Sequence, residues 1–170
     1  NIQEQDRYVV AATIVTTLKK LWADSWGPRL EHILRNTLIS LSYYSKATLL
    51  DIAPMLTNYH FRKQVLYALP VQSIRDFWEK EFEPLSPQLK QEFIAPILNK
   101  VGILSTHPIL RNIFGQQVSA INIAEIMNTR KILIINVIPP TNKPNIILAG
   151  GVLGPVTGSV TINTAPNKNP

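Results

Sequence analysis

Residues 28–43 read PRLEHILRNTLISLSY, and this stretch decides the fold class. Leu30, Ile33, Leu34, Leu38 and Leu41 recur at three- and four-residue spacing, the period of one helical face. Glu31, His32, Arg35 and Asn36 fall on the other faces. The Gly27-Pro28 pair ends one element and starts the next, because proline has a fixed φ and no N–H, which suits a first helical turn. Toward the N-terminus, Tyr8 to Trp22 repeats the pattern with apolar residues at 10, 11, 14, 15, 18, 21 and 22.

Toward the C-terminus the helical signals continue. Thr48 and Asp51 have the spacing of a capping box, with Asp in place of the usual Glu, opening a short helix to about Leu56. Asn58 starts another through Leu69, and Pro70 precedes a helical stretch from Val71 to Glu83. Ser86-Pro87 is a cap followed by proline at the first position, opening a longer helix, Gln88 to Leu104, that Pro96 should kink or split. His107-Pro108 starts a short helix that Gly115 stops, and Ile123 to Asn128 adds a turn or two. The expected fold is mainly α, with residues 1–130 as a multi-helix subdomain.

Residues 131–138, KILIINVI, differ: apolar without alternation and rich in β-branched side chains. That pattern suits a strand buried on both faces, as in a parallel sheet. Such a strand needs partners, in the tail or outside the chain. Residues 139–170 form a Pro/Gly/Thr-rich tail, either a flexible extension or a hairpin using Asn145 to Leu148 and Ser159 to Asn163.

Composition limits the chemistry. The 170 residues are 45% apolar and 16% charged, so a core is expected and wholesale disorder is not. The net charge of +6 favours polyanionic partners. Without cysteine there are no disulfides, thiolate metal sites or Cys nucleophile. His32, His60 and His107 lack ligand spacing and read as surface or helix-end residues, so no metal ligands are assigned. No apolar run is long enough to span a bilayer, and no signal peptide is visible. The chain opens with Asn1 and reads as an excised segment.

Catalytic motifs are missing. None of the seven glycines precedes Lys-Ser or Lys-Thr, so there is no P-loop. Gly150-Gly151-Val-Leu-Gly154 looks superficially like a nucleotide loop but lacks its spacing and any following acidic residue. The run ending at Ile138 is followed by Pro139-Pro140, and no Asp or Glu follows Glu125, so no carboxylate is placed to hold Mg2+. No catalytic residue is assigned. Asp76, Glu79, Glu81 and Glu83, interleaved with Arg75 and Lys80, read as a solvated helix face, while Trp78 and Phe82, four apart, read as core. Arg29, Arg35, Arg62, Lys63, Arg75, Lys100, Arg111, Arg130 and Lys131 are spread without a dense run and also read as solvated.

Several blocks taken together resemble one family. Residues 26–36, WGPRLEHILRN, are similar to the WGPRxExxLRN motif of HerA-like and conjugative coupling ATPases. The resemblance continues in order through Thr48 to Ile52, Phe61-Arg62, Phe77 to Phe82, Pro96 to Gly102, Leu110 to Ile113, and Ile126 to Asn128 leading into residues 131–137. It covers most of the chain.

The resemblance implies a fragment of a DNA-translocating motor from conjugative transfer or type IV secretion. Such motors have a RecA-like α/β core, to which strand 131–138 would belong, and form homo-hexamers that use ATP and Mg2+. The P-loop (Walker A) would lie upstream and Walker B downstream, so this chain would bind no cofactor and catalyse nothing alone. The location implied is cytoplasmic, with a place on the cytoplasmic side of a membrane complex open. Residues 139–170 depart from the family's Ser-Lys-Gly-like loop and following helix.

Arg29, Lys100 and Arg111 lie in the matching blocks and are the DNA-contact candidates; the remainder of the ATPase core is the other expected partner. The alternative is a non-enzymatic docking module for relaxosome proteins or secretion substrates, and a third reading is a truncated gene product. A DNA-contacting subdomain should gather its basic residues on one face, whereas a docking module should expose an apolar patch.

Overall fold

The computed structural model describes residues 4–118, Ile126, Asn128, Thr129 and the strand segments 131–135 and 162–166. It divides into two units, Asn1–Val118 and Ser119–Pro170.

The first unit is helical. Its helices are α1 (Glu4–Leu21), α2 (Pro28–Tyr43), α3 (Ile52–Thr57), α4 (Tyr59–Tyr67), α5 (Gln72–Asp76), α6 (Pro87–Thr106) and α7 (Pro108–Phe114). Short 3-10 turns occupy Ala23–Ser25 and Leu49–Asp51, and a π-helical segment, Phe77–Phe82, continues α5.

The local signals act where the sequence places them. Pro28 stands in the first turn of α2, and the Thr48–Asp51 capping box is formed in both directions. The Asn58 side chain accepts from the Phe61 N–H at 3.1 Å, and Ser86 accepts from the Leu89 N–H at 3.3 Å. Each supplies an acceptor to N–H groups that the first helical turn leaves unpaired. Gly115 ends α7, where a Cβ would come within 2.7 Å of the Arg111 carbonyl oxygen and 2.9 Å of a Leu50 methyl. Pro96 does not split α6, which runs unbroken from Pro87 to Thr106. Pro96 and Glu92, the residue whose carbonyl it deprives of an N–H donor, are both exposed.

α2 is the hub, packing against α1, α3, α4, α5 and α6. Its Leu30, Ile33, Leu34, Leu38 and Leu41 are buried as expected. So are Asn36, Thr37, Ile39 and Ser40, and six consecutive buried positions sweep more than one full turn. Asn36 therefore does not lie on a solvent face, as the spacing suggests. Its Nδ2 donates to the His32 carbonyl at 2.9 Å, Thr37 Oγ1 to the Ile33 carbonyl at 2.8 Å and Ser40 Oγ to the Asn36 carbonyl at 2.8 Å. Short polar side chains returned to the preceding turn can be buried without orphaned donors. Trp78 and Phe82 are core, and the Trp78 Nε1–H donates to Ser40 Oγ at 2.9 Å.

Arg62 and Glu83 correct the reading of both charge sets as solvated. Arg62 is buried; its Nε donates to Glu83 Oε1 at 2.7 Å, and its Nη1 to the Met55 carbonyl at 2.8 Å and the Leu56 carbonyl at 3.3 Å. Lys90 Nζ reaches the other Glu83 oxygen at 3.0 Å. Burial pushes the Glu83 carboxyl up, and the bonds from Arg62 and Lys90 more than reverse this, leaving it below its ordinary value.

In the second unit, Lys131–Ile135 (β1) pairs antiparallel with Ile162–Pro166 (β2), Lys131 opposite Pro166 and Ile135 opposite Ile162. The partner lies in the tail, one of the two places left open, but the parallel pairing expected for 131–138 is not the one formed. An unalternating apolar run reports burial on both faces and does not fix strand direction. β2 overlaps the expected strand 159–163 only at Ile162 and Asn163. Asn145 to Leu148, the glycine-rich stretch 150–154 and most of Ile123 to Asn128 lie outside the described residues.

Among the described residues no single helix is long and apolar enough to cross a membrane; α6 and α7 qualify only as a pair, bent by 98°.

Two substitutions test this packing. Arg62→Ala leaves the Glu83 carboxylate short of its buried partner and should destabilise the fold by about 3–5 kcal/mol. Arg62→Met with Glu83→Gln should recover part of that loss, read as denaturant midpoints. Gly102 lies inside α6, and a methyl added at its Cα would meet nothing within 4 Å. Gly102→Ala should therefore raise stability by ~1 kcal/mol in the same assay.

Candidate nucleic-acid interface

The first of the matching blocks folds into a joint centred on Glu31. Gly27, extended at φ −124° and ψ 158°, caps α2 without a side chain, and its carbonyl accepts the Glu31 N–H at 3.0 Å. The Glu31 carboxylate receives Trp26 Nε1–H at 2.9 Å, Lys19 Nζ at 3.1 Å and Arg35 Nη2 at 2.9 Å. These donors, Trp26 and then Lys19 foremost, lower its pKa from 4.5 to about 2 against the opposing effect of burial. The joint ties the end of α1, the connecting loop and the first turns of α2 together.

Arg29 lies two residues before Glu31 and is exposed. Its guanidinium lies over the Phe93 ring, 4.0 Å from the centroid, so it neither pairs with Glu31 nor caps a helix end. It borders a groove of about 710 Å3 whose other walls include Ile33, Phe77, Phe82 and Leu85. On the same groove His32 Nε2 stands 3.5 Å from Glu81, and its ring meets Phe77 edge-on at 5.0 Å.

Lys100 is half-buried on α6, with Nζ 3.4 Å from the Pro96 carbonyl. It follows Phe93 by seven residues, about 10 Å along a helix axis. Arg111 is exposed on α7, beyond the 98° bend. Among the described residues no hydrogen bond, ion pair or ring contact joins any two of Arg29, Lys100 and Arg111. The structure thus places the three candidates in three different surroundings.

Other basic residues are already engaged. Arg35 serves Glu31, Arg62 serves Glu83, and Arg75 Nη2 donates to the Leu69 carbonyl. Lys80 pairs with Asp76 at 2.8 Å, lowering the Asp76 pKa, with Gln72 as the second donor. Sequence reasoning missed the Glu31 and Glu83 joints because their partners come from different elements. The one local signal was the four-residue spacing of Glu31 and Arg35.

Among the described residues no group of three or more His, Asp or Glu side chains is placed to hold a metal, and α2 opens on a single glycine followed by proline. His60 is exposed beside Tyr59, and His107 forms the junction of α6 and α7.

The depressed Glu31 pKa sets a pH window. Its contribution to stability should be fully present above its ordinary value of 4.5 and be lost progressively as pH falls toward about 2. Thermal melts of the native chain and Glu31→Gln across that range should converge as the pH falls. Parallel curves would rule out a linked Glu31.

Comparison with protein-family models, curated proteins and solved structures finds no match for this chain, and the family resemblance rests on the residue blocks themselves.

Proposed function

We propose that this chain is a helical segment of a DNA-translocating ATPase of the HerA-like or conjugative coupling type, without catalysis of its own. In this reading the parent protein supplies the RecA-like core, the ATP and Mg2+ sites and the hexameric ring, and works in the cytoplasm. The observation that carries the proposal is the Glu31 joint: Trp26, Gly27, Pro28, Glu31 and Arg35, which carry the resemblance, work together as one structural unit. A motif whose members depend on one another is a stronger resemblance than the same residues scattered.

Within that reading Arg29 is the preferred phosphate contact. It is exposed, lies near the positive end of the α2 dipole, and has no acidic partner among the described residues. Lys100 and Arg111 act separately from it, as independent weak contacts.

A second reading, docking onto relaxosome proteins, secretion substrates or the motor's own core, is favoured by the outer side of α1. Val9, Val10 and Leu21 are 64%, 49% and 67% exposed, and no charged residue lies between Arg7 and Lys19. A surface of this kind loses little in meeting another apolar surface.

Fluorescence anisotropy with labelled DNA across a salt series separates the two readings. DNA contact predicts salt-sensitive binding, with a log–log slope of about −0.7 to −0.9 per phosphate contact. Arg29→Ala should weaken binding and make the slope shallower by about one contact. No binding at low salt would rule out direct DNA contact and leave docking.

A further inference from the structure

The α4 helix carries an outer ridge that neither the core nor the Glu31 joint uses. Tyr59, Lys63 and Tyr67 follow one another at four-residue intervals, one ridge of a helix surface, spanning about 12 Å. Tyr59 is 46% exposed, and Tyr67 is 91% exposed, the most open large apolar side chain among the described residues. The Lys63 ammonium lies 5.0 Å from the Tyr59 ring centroid. All three line a groove of about 610 Å3, whose opposite side includes Arg75.

Charge on this surface permits an anion. Glu83 lines the groove and is held by Arg62 and Lys90, and its charge also acts on Lys63. Glu79 also lines it, and its charge acts on Lys80. Lys63 remains as the exposed cation of this surface, held over the Tyr59 ring, while Arg75 is half-buried. Arg75 is fixed in place by its bond to the Leu69 carbonyl.

We infer that the α4 ridge binds single-stranded nucleic acid, stacking bases on Tyr67 and Tyr59 and meeting the intervening phosphate with Lys63. This rests on the DNA reading above but uses a surface distinct from Arg29. Two aromatic rings with a cation between them match an alternation of bases and phosphates, and stacking needs no particular base. A duplex keeps its base faces inside its own stack, so a nearly free tyrosine ring gains little from it. Tyrosine also serves protein interfaces, whose cores are depleted of lysine, so a protein partner is the alternative that the test must separate.

The test uses the full chain and labelled oligothymidylate or a duplex, followed by anisotropy. Tyr67 is too exposed for its replacement to disturb the core, and circular dichroism checks each variant. Single-stranded binding should exceed duplex binding. Tyr67→Ala should weaken the single-stranded complex by roughly five- to a hundredfold, and Tyr67→Phe should keep it. Lys63→Ala should make its salt dependence shallower. Binding that falls with Arg29→Ala but is unchanged by Tyr59→Ala with Tyr67→Ala would overturn the ridge and leave the DNA reading standing. Equal affinity for duplex would also overturn it. If neither form binds, both fail, and the ridge passes to a protein partner.

Discussion

The hydrogen bond from the Trp78 indole to the Ser40 hydroxyl, 2.9 Å between two fully buried side chains 38 residues apart, is the constraint around which the helical unit is arranged. A buried indole N–H without an acceptor costs about 1–3 kcal/mol. α2 must therefore present a small hydroxyl at that point, and Ser40 can accept there because its own O–H is donated to the Asn36 carbonyl. The π-helical segment is the other half of the arrangement. Phe77, Trp78 and Phe82 all turn inward from it, with the Trp78 and Phe82 ring centroids 4.9 Å apart. A bulky aromatic cluster over a small polar patch explains why α2 is buried nearly all round while carrying Asn36, Thr37 and Ser40.

Two ionic joints then lock the periphery, and they differ in energetic kind. Glu31 gathers three donors but remains about a quarter exposed, so each bond is screened, and the joint acts mainly by fixing the geometry of the loop before α2. Arg62 is buried and answers two needs at once. It occupies the Met55 and Leu56 carbonyls near the end of α3, which the helix itself leaves open, and it neutralises Glu83 just past the π-helical segment. Lys90 extends the same joint to α6. The weaker joint sets an angle; the buried one links three parts of the core.

What the sequence made legible is what local rules govern. Pro28, Thr48 with Asp51, Asn58, Ser86 and His107-Pro108 mark helix starts through contacts within a few residues, and each start lies within a residue or two of its expected place. The Trp78–Phe82 spacing also identified core. Properties decided across elements stayed hidden. Arg62 and Arg29 look alike in a composition count, yet one is buried against Glu83 and the other lies exposed on Phe93. Asn36 looked solvated because a one-dimensional pattern cannot show that five helices surround α2. Of the kink or split that Pro96 suggested, the split does not occur, since α6 packs as one helix against α2 and α3. Of the three DNA candidates, the sequence could give their blocks but not their separation.

The blocks that carry the resemblance fall repeatedly on joints. Trp26 to Asn36 holds the Glu31 cluster and the first buried turns of α2; Thr48 to Ile52 holds the capping box; Phe61-Arg62 and Phe77 to Phe82 hold the buried ion pair and the aromatic cluster. Most of these residues have a structural task that would be required whatever the unit touched. Function must rest on side chains that the architecture leaves free. Arg29 on its aromatic shelf, the exposed Val9 and Val10 of α1 and the Tyr59–Lys63–Tyr67 ridge are such side chains. They face solvent from different helices, so a partner engaging one need not engage the others.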